Sequence, residues 1–368
     1  MIPLVDLKAQ YETIKVEIQE AVYEVLESQQ FILGDKVEEL EAKIAQFCNV
    51  HYGIGVASGS DALLLSLMSI GISAGDEVIT TPYTFFATAG AVSRLGGIPI
   101  FVDIDRTYNI NPYLIEDKIT SRTKAIIPVH LFGQCANMDI INEIALKHGL
   151  YVIEDAAQAI GARYKGRKAG SMGDLGCLSF FPTKNLGGYG DGGMVLTDND
   201  ELADKIRVLR VHGSHPKYHH SVIGINSRLD AIQAAILLVK FKYLMGWNHI
   251  RRSIAMIYNN FFIKTAIKTP ITEPDNDHIF NQYVIALDDR DGLRNRLKEK
   301  DIGSEVYYPI PLHLQECYNW LGYKREDLPL SSWASEHTLA LPVYPELTWN
   351  QQKEIINIIL EFIGDRHD

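Results

Sequence analysis

Cysteine is scarce in this chain: four residues in 368, Cys48, Cys135, Cys177 and Cys317, none in a Cys-x-x-Cys spacing. That pattern argues against a redox pair or a zinc site and leaves reduced, mostly buried thiols as the expectation. Long apolar runs are missing too. The longest, residues 62–74, is broken by serines and a glycine and falls short of the roughly 20 residues that a bilayer-spanning helix needs. Asp6 and Lys8 come before any long apolar run forms, which is not the pattern of a secretory signal, so the chain is expected in the cytoplasm. Basic residues are outnumbered, 35 Lys and Arg against 46 Asp and Glu, for a formal net charge of -11. This balance argues against nucleic acid or a membrane surface as partner, while leaving room for a local basic pocket that takes a phosphorylated substrate. No internal repeat or low-complexity linker occurs, and the glycine tract at 187–193 lacks the Gly-Lys-Ser/Thr ending of a nucleotide-triphosphate loop.

What is present is a patterned globular chain. Hydrophobic residues make up 46% and charged residues 22%, an ordinary soluble balance, and the length favours two unequal domains. Leu7, Tyr11, Ile14, Ile18, Val22 and Val25 recur at three- and four-residue steps, as do Val37, Leu40, Ile44 and Phe47, so two amphipathic helices open the chain. Residues 51–57 read as a strand that turns through Ser58-Gly59-Ser60 into an uncharged helix over 62–70. Such a turn leaves free N–H groups where a phosphate can sit, although serine is also a common N-cap. From Glu77 strands and helices alternate: 78–80 into 85–95, 98–102 into a helix near 113–119, 125–129 into 138–148, then 151–154. This alternation predicts a mostly parallel sheet covered by helices on both faces, with ligands at the carboxyl ends of its strands. A strand at 194–196, a charged helix at 201–211 and a buried helix at 229–243 complete a large unit over 1–245. The pattern shifts at Gly246-Trp247, and the segments 283–287, 292–300, 304–307, 331–339 and 350–363 predict a smaller C-terminal α/β domain over 246–368. His212, His215, His219 and His220 share a loop with no helix to present them and no acid among them, so no metal site is expected.

The stretch 151–197 concentrates the chemistry. An apolar run ends in Glu154-Asp155-Ala156-Ala157-Gln158, delivering Asp155 at the end of a buried strand. Ser179-Phe180-Phe181-Pro182-Thr183-Lys184-Asn185 follows, and then the glycine tract. A lysine enclosed between an aromatic run and glycines has a lowered amine pKa and can attack a carbonyl. If that carbonyl belongs to pyridoxal phosphate, a carboxylate must keep the pyridine nitrogen protonated, and hydroxyls with backbone N–H groups must hold the phosphate. Asp155, Ser179 and the Ser58-Gly59-Ser60 turn fit those needs. Each feature alone has an ordinary explanation as a solvated loop lysine, a helix cap or a plain turn. Their joint occurrence is what points to a cofactor. Phe85, after a strand end, is as an isolated aromatic a core residue.

The segments Ala57-Ser58-Gly59-Ser60-Asp61-Ala62-Leu63, Glu154-Asp155-Ala156-Ala157-Gln158-Ala159, Ser179-Phe180-Phe181-Pro182-Thr183-Lys184-Asn185 and Asn226-Ser227-Arg228-Leu229-Asp230-Ala231 resemble the DegT/DnrJ/EryC1/StrS family of pyridoxal-phosphate-dependent sugar aminotransferases, over nearly the whole chain. The resemblance implies the fold-type-I, aspartate-aminotransferase-like α/β architecture and a homodimer with shared active sites. It makes Lys184 and Asp155 the catalytic pair. It stacks Phe85 on the cofactor ring, sets Gln158 near the ring hydroxyl, gives Gly59, Ser60 and Ser179 to the phosphate, and brings Asn226 across the interface to the other subunit's phosphate. The substrate would be a nucleotide-diphosphate keto sugar and the amino donor L-glutamate. Gln158, in place of the histidine frequent in relatives that form 4-amino sugars, points to amination at C-3, with a 4-keto substrate as the alternative. A dehydratase reading is disfavoured because Lys184 is present where those relatives carry histidine, and a non-catalytic regulator is disfavoured by the full set of catalytic groups. Arg228 and, in the ring- and proline-rich segment Tyr307-Tyr308-Pro309-Ile310-Pro311-Leu312-His313, Tyr308 and His313 are the candidates to meet the substrate.

Overall fold

A computed structural model describes residues 1–364. Two helices open the chain, α1 (Leu7–Ser28) and α2 (Asp35–Cys48), the first capped by the Asp6 carboxylate, which accepts from the Ala9 N–H at 2.9 Å. β1 (Tyr52–Val56) then leads into α3 (Gly59–Ser69). This helix starts three residues earlier than its apolar pattern suggests. Ser58 is its N-cap, accepting from the Asp61 N–H at 3.1 Å, so Gly59 and Ser60 lie in the first turn with no bonding partner further back in the helix.

The main sheet has seven strands. To β1 are added β2 (Glu77–Thr80), β3 (Ile98–Phe101), β4 (Thr123–Ile127), β5 (Tyr151–Asp155), β6 (Leu175–Ser179) and β7 (Gly193–Thr197), in the spatial order β1-β7-β6-β5-β4-β2-β3. Only β7 runs against its neighbours; every other pairing is parallel. Helices α4 (Ala87–Arg94), α5 (Met138–His148), α6 (Asp200–Leu209) and α7 (Ala231–Phe241) join α2 and α3 in covering it. Two buried clusters line its faces, one gathering Leu40, Ile44, Met138, Ile141, Phe180 and Leu237, the other Ile54, Leu63, Leu67, Val92, Ile153 and Ile206. The near-continuous apolar strands follow from burial on both sides.

The expected helix near 113–119 is instead two single 3₁₀ turns, Pro112–Leu114 and Glu116–Lys118. Pro112 has no N–H to give, and the Asn111 side chain takes the Tyr113 N–H at 3.1 Å, so the segment closes by three-residue bonds and goes no further.

A second core gathers Ile2, Ile254, Ala255, Tyr258, Phe262, Tyr283, Leu293, Leu341 and Ile355. It is built by α8 (Leu244–Phe262), the antiparallel pair β8 (Tyr283–Ala286) and β9 (Thr338–Leu341), and helices α9 (Arg290–Glu299), α10 (Pro329–His337) and α11 (Trp349–Gly364). The segment 304–307 adds no regular strand, only a bridge from Glu305 to Ala340. Helix α8 serves both cores: Leu244 packs with the sheet, while Ile254 to Phe262 pack in the small lobe.

Candidate active site

Four strand ends converge. β1 runs into Ser58-Gly59, β2 into the Thr81-Pro82-Tyr83-Thr84-Phe85 loop, β5 ends at Asp155, and β6 ends at Ser179. Asp155 is 5% exposed; its Oδ2 accepts from Thr88 Oγ1 at 2.8 Å and its Oδ1 from the Ala157 N–H at 3.2 Å. Burial raises its pKa, while those two hydrogen bonds and the charge of Lys184 pull the other way. An acid balanced in this manner is well placed to ionise against a cation brought to it.

Lys184 follows the Phe181 turn, where its N–H donates to the Phe181 carbonyl at 2.9 Å. Its side chain is half-buried and hemmed in by protein, and that desolvation lowers its pKa to about 8, against the opposing pull of Asp155. About a tenth is therefore free amine at pH 7, far more than for an ordinary lysine, and that is the form that attacks a carbonyl.

Gly59 and Ser179 meet at the start of α3. A Cβ added at Gly59 would stand 2.7 Å from the Ser179 Cβ and 3.1 Å from its Oγ, so only glycine permits this approach. The result is a small cradle formed by a helix N-terminus, a serine hydroxyl and the neighbouring Ser60, which is what a phosphate requires. The donor set thus fits pyridoxal phosphate: an amine for the aldehyde, an acid for the ring nitrogen and a cradle for the anion.

Phe85 is 58% exposed, and its ring centroid lies 6.3 Å from that of Tyr308. Gln158 accepts the Phe132 N–H at 2.7 Å through Oε1, which directs its amide nitrogen to the Tyr308 hydroxyl at 3.1 Å. Tyr83 ties the same loop to the small lobe by donating to the Tyr307 carbonyl at 2.6 Å. Tyr308 therefore joins Phe85 and Gln158. His313 is buried instead, 1% exposed with its ring against Tyr323, neither nitrogen hydrogen-bonded, and burial lowers its pKa to about 4. Asn226 is exposed, its backbone bridging to Val211, and Arg228 is half-buried. Asn226 does not cap the following helix, since α7 begins at Ala231 behind Asp230.

Two contributors escaped the sequence reading. Thr88 came from a helix that gave no hint of touching Asp155. His130 lies behind the same acid: its N–H donates to the Asp155 carbonyl at 3.0 Å, and its Nε2 is 2.7 Å from Glu154 Oε2. Because His130 Nδ1 accepts the Ala136 N–H at 3.1 Å, Nε2 carries the proton and donates to Glu154. Glu154 also accepts from the N–H groups of Gly170, Met172 and Gly173. Four donors on one fully buried carboxylate leave no room for an amide. Glu154→Gln should therefore cost about 3–5 kcal/mol, read by urea unfolding; an unchanged midpoint would show that the carboxylate is dispensable.

The match to known proteins extends over the whole of this architecture. The profile of the DegT/DnrJ/EryC1/StrS aminotransferase family matches residues 12–360. A Geobacillus stearothermophilus protein named pleiotropic regulatory protein is 52% identical over 98% of both chains. The UDP-N-acetyl-3-dehydro-alpha-D-glucosamine 3-aminotransferase of Acidithiobacillus ferrooxidans is 45% identical over 97% of both. The crystal structure of S. venezuelae DesV superposes with a TM-score of 0.96 at 40% identity, covering 98% of each chain. The chain belongs to the DegT/DnrJ/EryC1/StrS family and is an aminotransferase that works with pyridoxal phosphate.

Proposed function

We propose that this enzyme transfers an amino group from L-glutamate to the C-3 keto group of a sugar carried on a nucleotide diphosphate, toward an amino sugar for surface polysaccharide or a secondary metabolite. The observation that carries the chemistry is the enclosure of Lys184, its amine lowered to about 8, beside buried Asp155. The position on the sugar is supported by Gln158 and by the 3-aminotransferase name of the A. ferrooxidans relative.

Pyridoxal phosphate, when bound, supplies the electron sink for charge that develops at the carbon losing its proton. Lys184 would hold the cofactor aldehyde, and its amine is placed to take and return that proton as general base and acid. Asp155 keeps the pyridine nitrogen protonated. Gly59, Ser60 and Ser179 hold the phosphate, joined by Asn226 of the partner subunit. Phe85 covers the ring face, and Gln158 sits near the ring hydroxyl. Arg228 and Tyr308 are our candidates for contact with the sugar nucleotide, whereas the burial of His313 against Tyr323 takes it out of that role. Turnover with L-glutamate against a panel of 3-keto and 4-keto nucleotide sugars tests the reading, and preference for the 4-keto members would overturn the C-3 assignment. The G. stearothermophilus relative is named a pleiotropic regulatory protein, which favours a regulatory role beside catalysis as a second reading; absence of turnover across that panel would support it.

The shared site makes its own prediction. Lys184→Ala and Asn226→Asp variants, each inactive alone, should regain activity on subunit exchange. One of the two sites then pairs an intact lysine with an intact asparagine, giving up to about half the wild-type rate per mixed dimer if the sites act independently. Verified mixed dimers without recovery would confine Asn226 to its own subunit.

A further inference from the structure

Behind Lys184 runs a line of three buried amides. Asn185, Asn248 and Asn281 are 3%, 0% and 5% exposed. Asn248, on α8, gives its Nδ2 to the Ile160 carbonyl at 3.1 Å. Its Oδ1 accepts the Asn185 Nδ2 at 2.6 Å, and the Asn185 Oδ1 accepts the Asn281 Nδ2 at 2.7 Å. A backbone carbonyl can only accept, so Ile160 decides which end of Asn248 faces it. That choice then fixes Asn185, and Asn185 fixes Asn281. The line has one polarity from end to end, and no amide in it can flip without breaking its neighbours.

The line also joins three parts of the molecule. Asn185 belongs to the lysine turn of the large lobe, Asn248 to the helix that serves both cores, and Asn281 to the segment entering β8 of the small lobe. Arg251, one turn along α8, grips that same segment, donating Nη1 to the carbonyls of Phe280, Asn281 and Val343 at 3.4, 3.3 and 2.5 Å. Apolar packing alone would allow the turn to slide. Directional hydrogen bonds in a dry interior do not, because a displaced amide is left unpaired.

We propose that Asn248 and Asn281 are positioning residues for Lys184: through Asn185 they fix the direction in which the lysine leaves its turn and pin that turn to the small lobe. The inference rests on Lys184 being the reactive amine, yet its test needs no turnover. Cofactor-free protein is labelled with acetic anhydride across a pH series, and acylation of the Lys184 peptide is followed by mass spectrometry. In the wild type the labelling midpoint should lie near pH 8. In Asn248→Leu the loosened lysine should swing toward solvent and its midpoint should rise by about one pH unit, which cuts the free-amine fraction at pH 8 about fivefold. Asn281→Ala, which removes only the last link, should shift it the same way by less and serves if Asn248→Leu does not fold. A purely structural role predicts lower thermal midpoints with the labelling profile unmoved, and that outcome in a folded variant overturns the proposal. A wild-type midpoint near 8 in a protein without transaminase activity would instead count against the enzymatic reading alone.

Discussion

Lys184→Ala should leave a folded protein that binds pyridoxal phosphate yet has lost transamination by about 10⁴-fold or more. On the proposed reading the substitution removes the amine beside Asp155 that carries a proton at the reacting carbon, and general acid–base groups commonly account for about 10²–10⁴-fold by themselves. Loss of the covalent hold on the cofactor aldehyde adds to that. The fold should be spared, because the side chain hydrogen-bonds no protein group among the described residues and is only half-buried. Removing a desolvated ammonium from the cleft should even leave the thermal midpoint level or slightly raised. The visible absorbance band of the lysine-bound cofactor should be absent from the variant. Appreciable turnover by the purified variant, free of host aminotransferases, would defeat the assignment of Lys184.

Asp155→Asn is the second large effect. The amide would still accept one hydrogen bond, from Thr88 or Ala157, but it bears no charge to hold a proton on the pyridine nitrogen. The electron sink is then weakened where charge develops, and losses of about 10²–10³-fold accompany removal of a single well-placed electrostatic partner. Single-turnover measurements on cofactor-saturated protein separate the two roles open to this acid. A slowed chemical step identifies an electrostatic partner. A normal step with weakened cofactor retention identifies a structural one.

The sequence made the sheet legible because burial on both faces writes itself into strand composition, and α5 fell at 138–148 as its periodicity indicated. Asp155 was legible for the same reason, since a strand end can be located by counting, whereas the strand Leu175–Ser179 was not read and Ser179 was picked out by its place beside the lysine segment. Thr88 and His130 were not legible. Each reaches Asp155 from a different part of the chain, and neither threonine in a helix nor histidine after a strand carries a signal of where it points. The 3₁₀ turns at 112–118 were misread because an apolar residue every few positions looks helical until proline removes the donor that a longer helix would use. Asn226 shows the converse case. Its assignment came from resemblance alone, and the single chain shows only that it is exposed and does not cap α7.

The reversed direction of β7 has a consequence for how the cofactor is held. Ser179 and Gly193 face each other across the β6–β7 pair, so residues 180–192 form a closed loop standing on those two feet. A Cβ on Gly193 would press on the Ser58–Gly59 peptide, so one foot touches the phosphate cradle while the other supplies its serine. Lys184 rides on the loop above them. On the proposed reading, the lysine that would hold the cofactor aldehyde and the serine that would help hold its phosphate stand on one hairpin. The spacing of those two residues is set within the fifteen positions 179–193, while Gly59, Ser60 and Asp155 reach the site from other strands.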